Sequence, residues 1–250
     1  MHWDFAFILG VLAFVIPVMG RRRVRALLAL SDTTKLDRLS IYASTIAFQW
    51  LAAVLVLWRT IRHGITPAQL GISLGHSYLI TAITVVLSSL LLLNQIASAR
   101  RIKSDSSALR SATVQLALKV FPRDNIERLA FSALVTTVAV CEEVIYRGFA
   151  QYVFQDWSRS LLIGILGSAL LFSFAHLYQG KRGCVSTFAV GLLFSGIRAW
   201  SGSLVPTIAA HFVADLSIGL LAPRHVQEAL RQSRNLQEEE AAAQQVTTTR

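Results

Sequence analysis

The chain has 250 residues, of which 54% are hydrophobic and only 15% charged, against about 25% charged in an ordinary soluble domain. That balance excludes a conventional water-soluble globule. Its formal charge of +10 would point to nucleic acid in a soluble protein, but the basic residues cluster between apolar runs with no aromatic interleaving. They read as membrane topology signals, and no nucleic-acid partner is expected.

Seven apolar stretches follow in chain order, at about 3–19, 40–58, 78–98, 129–153, 160–177, 184–199 and 204–221. Roughly 17 to 25 apolar residues cross about 30 Å of hydrocarbon. The fold class expected is therefore all-α, a polytopic transmembrane helix bundle of about seven spans embedded in the lipid bilayer. The opening run "MHWDFAFILGVLAFVIPVMG" has its positive charges after the apolar segment, so it reads as a first membrane helix with its N-terminus outside, not as a cleavable signal. In that orientation nineteen of the 24 Lys and Arg fall in inner segments, four fall in outer loops or, for Arg198, at the outer edge of the sixth span, and Arg147 is the one left inside a span. This follows the positive-inside rule and places the C-terminus in the cytoplasm. A short basic chain without a leader pattern leans toward a prokaryotic inner membrane.

Three regions are expected. Residues 1–128 form N-terminal membrane helices and an inner interfacial segment. Ala108–Phe121 has apolar residues at helical spacing with interspersed Arg and Lys, as in a helix lying along the interface, and Pro122 ends it. Residues 129–221 form a polar-bearing membrane core. Residues 222–250 are a polar, low-complexity tail expected to be disordered. Cys141 and Cys184 are isolated and imply neither a disulfide framework nor a thiolate zinc site.

The segment "AVCEEVIYRGFAQY" places Glu142, Glu143 and Arg147 inside a span. Charges at mid-membrane cost about 2.5–3.5 kcal/mol each on insertion scales and mark functional positions by default. Glu143 and Arg147 are four apart in the favourable Glu-first order and can neutralise each other. Glu142 is rotated about 100° around the helix and has no intrahelical partner of opposite charge, so its carboxylate is available for acid–base work. "FSFAH" puts Phe172 and His176 on one face of the fifth span, and "HFVAD" puts His211 and Asp215 on one face of the seventh. These groups are satisfied more cheaply by one another than by lipid, so convergence is expected. A converged set of this kind is either an ion pathway or a hydrolytic site. With no internal repeat, a transporter is the less favoured reading. A Glu/His/His set is the inventory of water-activating sites with or without a metal.

"EEVIYR", "FSFAH" and "HFVAD", in this order and on three spans, resemble the EExxxR, FxxxH and HxxxN/D pattern of the CPBP intramembrane proteases, which include the type II CAAX prenyl endopeptidases and the bacterial Abi proteins. The resemblance covers roughly residues 129–221, and an "LGIS" at 70–73 is of the kind often seen ahead of that core. It implies an intramembrane endopeptidase in which Glu142 and His176 activate water, His211 and Asp215 stabilise the oxyanion or hold a ligand, and Glu143, Arg147 and Phe172 support the site. Asp215 departs from the Asn of the best-known prenyl proteases, and a carboxylate is a poor oxyanion donor. The resemblance also implies a peptide or protein substrate, prenylated at its C-terminus in the CAAX case. Any metal would be a divalent ion such as zinc on Glu142, His176 and His211. The alternative is a non-catalytic membrane scaffold, chaperone or immunity-type protein that uses the same polar cluster structurally. Depth sets one condition. By helical rise Glu142 and His211 lie roughly 20 Å from the inner ends of their spans, whereas His176 lies near the inner end of its own. A common site then requires either shifted boundaries or a recess opening toward the inner face.

Overall fold

The structure is a computed structural model that describes residues 2–74, 77–104 and 112–220; the expected tail at 222–250 and the first four residues of the interfacial stretch lie outside these. Among the described residues the chain is helical, with no strand. The helices are α1 (Trp3–Ala29), α2 (Lys35–Arg62), α3 (Ser77–Ser104), α4 (Ala112–Val120), α5 (Asn125–Ser158), α6 (Leu161–Ala175), α7 (Leu177–Ser201, beginning with a 3₁₀ turn) and α8 (Val205–Leu220). Each of the seven expected spans falls on a helix. α1, α2, α5, α7 and the Tyr78–Ala97 part of α3 are long and apolar enough to cross a membrane, while α6 and α8 are shorter. Large apolar side chains such as Phe14, Leu51, Leu93 and Leu162 point outward, as a protein solvated by lipid tails allows.

The helix starts follow from local chemistry. Thr34 and Asp37 form a reciprocal capping box at the start of α2, and Asp124 accepts from the Glu127 backbone N–H at the start of α5, each satisfying donors that a helix leaves open. The early start of α5 brings Glu127 into the bundle, although the sequence places it in a loop. Glu127 is 1% exposed and takes a bidentate pair of bonds from Arg38 of α2, at 3.1 and 2.7 Å. α2 and α5 run side by side from this pair through Tyr42 against Phe131 to Gln49 beside Glu142.

α4 occupies the expected interfacial segment and stops ahead of Pro122. Lys119 donates from Nζ to the carbonyl oxygens of Leu27, Leu28 and Leu30, capping the open C-terminal carbonyls of α1. Arg123 binds Asp32, and its guanidinium holds that carboxyl well below the usual range. The two ends of the bundle therefore differ. One carries Arg21, Arg22, Arg23 and Arg25 of the second half of α1, Lys35 at the start of α2 and Arg123 between α4 and α5. At the other, Asp4 of α1 accepts from Arg59 of α2 at 2.6 Å and Phe5 packs edge-on against Phe149 of α5 at 5.3 Å.

α6 and α7 form a tight antiparallel hairpin. A Cβ on Gly191 of α7 would lie 3.0 Å from Ala169 Cα and 3.1 Å from Ala169 Cβ, so the two backbones approach as small-residue interfaces allow in membranes. Ser195 donates to Ser168 at 3.3 Å and Ser173 to the Cys184 carbonyl at 2.8 Å along the same seam. Gly191→Ala is expected to lower thermal stability by about 1–3 kcal/mol, the usual cost of overpacking, because the obstructing atoms are backbone. Gly196→Ala, with nothing within 4 Å of its Cβ, should leave the melting temperature of the detergent-solubilised protein unchanged.

Candidate active site

Three helices bring the sequence-selected residues together. The first, α5, changes character at the site: Glu143–Ala150 is π-helical inside an otherwise α-helical rod. π segments are rare and gather at functional positions. The wider turn breaks the 100° step assumed from sequence while Glu143 and Arg147 remain within reach of each other. Arg147 donates to Glu143 Oε1 at 2.9 Å, with both side chains fully buried. The guanidinium lies over the Phe172 ring at 4.0 Å and nearer one side of Phe194 at 5.3 Å. Two aromatic faces and one carboxylate thus hold a cation that lipid would not accept.

Glu143 reaches further than the sequence suggested. Its Oε1 also takes a bond from His211 Nδ1 of α8 at 3.0 Å, so the pair becomes a triad across two helices. With Nδ1 committed to Glu143, His211 turns Nε2 toward Asp215 Oδ2, 3.5 Å away. The Asp215 side chain is 41% exposed, against 11% for His211. The expected i, i+4 contact on α8 is therefore present, with a second carboxylate on the far nitrogen.

His176 caps the C-terminus of α6. Its Nδ1 lies 2.8 Å from the Phe172 carbonyl. A carbonyl only accepts, so Nδ1 carries the proton and Nε2 keeps its lone pair free. The ring rests on Phe172, with centroids 4.5 Å apart, and Phe172 in turn approaches His211 at 6.3 Å.

Glu142 stands apart from the triad. Oε1 accepts from Gln49 Nε2 of α2 at 3.0 Å, while Oε2 is buried and bonds to no other described residue. No cation pairs with it among the described residues. The amide of Gln49 steadies the carboxylate without neutralising it, so the sequence expectation of an unpaired Glu142 holds in charge although not in hydrogen bonding.

The depth condition resolves through the hairpin. At 1.5 Å per residue α6 is only about 22 Å long, whereas Glu142 sits about 25 Å along a helix of roughly 50 Å. α6 stops one turn past Phe172, and the turn after it meets α1 at Gly20, where Tyr178 Cδ1 would lie 3.7 Å from an added Cβ. α1 continues nine residues beyond, to Ala29. The hairpin thus ends partway through the bundle, which carries His176 to the depth of the glutamates.

Residues 125–217 match the family model described as type II CAAX prenyl endopeptidase Rce1-like. Over this stretch the chain is similar to that family. The matched stretch begins on the first residue of α5 and contains Glu142, Glu143, Arg147, Phe172, His176, His211 and Asp215. No curated protein and no solved structure matches the chain. The likeness points to a membrane protease, and the several long apolar helices agree with an integral membrane protein.

Sequence reasoning missed Gln49, Phe194 and Tyr178, whose ring lies 5.8 Å from that of His176. Gln49 carried a signal, since a lone amide in an apolar span is as suspicious as a charge. The phenylalanine carried none, because its role depends on which helix stands opposite Arg147. As to a metal, the one group of His, Asp, Glu and Cys ligand atoms lying mutually within 4.8 Å among the described residues is His2, Asp4 and His63, at the other end of the bundle. Glu142, His176 and His211 do not close to that spacing, so the residues as arranged do not form a metal cradle and no catalytic step is routed through one.

Proposed function

We propose that the chain is an intramembrane endopeptidase in which Glu142 activates water against a peptide carbonyl. The observation that carries this reading is the contrast in charge between neighbours: Glu143 Oε1 is held by Arg147 and His211, while Glu142 is bonded only by the neutral Gln49 amide and pairs with no cation among the described residues. Glu142 takes a proton from water, and His176 Nε2 orients that water by accepting its second hydrogen. The hydroxide oxygen attacks the carbonyl carbon. His211, held at Nδ1 by Glu143, donates its Nε2–H to the oxyanion, turning it from Asp215, which faces that nitrogen at 3.5 Å in the resting chain. Collapse of the intermediate breaks the C–N bond as Glu142 returns its proton to the leaving amine.

The family suggests a substrate at the membrane surface, prenylated at a C-terminal cysteine. The sequestration of basic residues at one end of the bundle supports an N-terminus outside and entry of the peptide from the cytoplasmic side. The test is cleavage of prenylated and unprenylated peptides by the detergent-purified chain, with and without a chelator. Cleavage that prefers the prenylated set and resists chelation supports the full reading. Cleavage lost on chelation assigns a divalent metal, and silence on every peptide favours a non-catalytic scaffold.

A further inference from the structure

The end of the bundle away from the basic cluster of α1 holds a pocket that peptide hydrolysis does not use. Four of the five tryptophans, Trp3, Trp58, Trp157 and Trp200, lie within about a turn of the ends of α1, α2, α5 and α7 there. Trp3, Trp58 and Trp200 are exposed. Indole rings gather at the headgroup level of a bilayer, so this end lies at a membrane–water boundary.

A cavity of about 380 Å³ opens here, lined by Gln69, Tyr152, Gln155, Asp156, Arg159 and Arg198. Its floor is unusual. Arg198 is 9% exposed, and its Nη2 donates to the Gln69 carbonyl at 2.5 Å. Its Nε is buried with no hydrogen-bond partner, and among the described residues no carboxylate lies within ion-pair distance of it. Asp156, the one acid in the lining, is 3.6 Å from Arg159, whose side chain is 86% exposed. A buried guanidinium without a counter-charge is costly. Every other buried arginine described here, Arg38 and Arg147, has its carboxylate.

The strap carrying Gln69 runs directly into the "LGIS" segment at 70–73. Leu204 N–H donates to the Gly71 carbonyl at 2.8 Å and Ser203 to the Ser73 carbonyl at 2.6 Å. Gly71 has φ +79°, and a Cβ there would lie 3.2 Å from Arg198 Nε. The strap is thus folded around Arg198, whose buried Nε faces Gly71 while the residue also lines the cavity.

We propose that this pocket binds a phosphate group at the membrane surface, the phosphodiester of a lipid headgroup, with Arg198 as its buried anchor and Arg159 as its rim contact. Two guanidiniums against one carboxylate leave a net positive charge, and planar forked donors suit phosphate oxygens. The amides of Gln69 and Gln155 and the Tyr152 hydroxyl complete a polar lining. An occupant would tie the strap to the ends of α5 and α7.

The test is thermal unfolding of the full chain in a phosphate-free maltoside detergent, titrated with dihexanoyl phosphatidylglycerol, dihexanoylglycerol or inorganic phosphate. The lipid phosphate should raise the midpoint and dihexanoylglycerol should not. Arg159→Glu, on an exposed side chain, should leave the unliganded midpoint in place and raise the half-saturating lipid concentration about tenfold or more, as loss of a charge-assisted bond does. Arg198→Gln also removes the strap bond, so Arg159→Glu is the deciding variant. An equal, Arg159-dependent response to inorganic phosphate supports the site and makes the free anion a sufficient ligand. Equal stabilisation by dihexanoylglycerol, no response to any phosphate, or a response unchanged in Arg159→Glu overturns the proposal.

Discussion

Glu142→Gln should reduce peptide cleavage by about 10²- to 10⁴-fold, the contribution of a positioned general base, while the protein accumulates and melts as the parent does. The side chains are nearly isosteric, and the Gln49 amide can donate to an amide oxygen as it does to Glu142 Oε1 at 3.0 Å. No cation loses its partner, because none is paired with Glu142 among the described residues. The same change one residue along should behave in the opposite way. Glu143→Gln strips the charge from a carboxylate that holds both Arg147 and His211, so the folded yield should fall before activity can be measured. Cleavage by purified Glu142→Gln at the parent rate would remove Glu142 from the mechanism. A collapse of its yield would show instead that this carboxylate is structural.

Arg147→Met should destabilise the bundle by about 3–5 kcal/mol, the cost of breaking a buried ion pair from one side. Glu143, its own side chain fully buried, would keep only His211 as a partner, and Phe172 and Phe194 would lose the guanidinium that sits 4.0 and 5.3 Å from their rings. Arg147→Lys should restore only part of that loss, because a compact ammonium does not stack as a planar guanidinium does. The double change Glu143→Gln with Arg147→Met should be milder than the sum of its parts, since removing both partners leaves no orphan charge. Equilibrium unfolding in mixed micelles would measure all four proteins. An Arg147→Met stability within about 1 kcal/mol of the parent, the scale of a surface pair, would sink the argument.

Membrane class and the positions of the apolar helices were legible because they rest on amounts and lengths. A chain with so little charge and seven apolar runs has few options once every backbone polar group must be satisfied in hydrocarbon. The Glu143–Arg147 pair was legible for a similar reason: four residues along one helix bring two side chains together whatever surrounds them. His211 and Asp215, and Phe172 and His176, were readable as pairs on the same ground. The caps Thr34 and Asp124 were not read from the sequence, and the start of α5 at Asn125, with the burial of Glu127, depended on Arg38 waiting on α2.

Only the tertiary structure decided which pairs meet. Sequence spacing carries no information across helices, so the bond from His211 to Glu143, the amide of Gln49 on Glu142, and the seat of Arg147 between two phenylalanines from α6 and α7 had no local signature. The π-helical stretch at Glu143–Ala150 is a further example, because it changes side-chain direction without changing composition. Depth was equally hidden. His176 reaches the level of the glutamates because Gly191 lets α7 close on α6 and the hairpin turns early against Gly20. A residue's height in a membrane is set by the helix that stops beside it, and that is a property of packing.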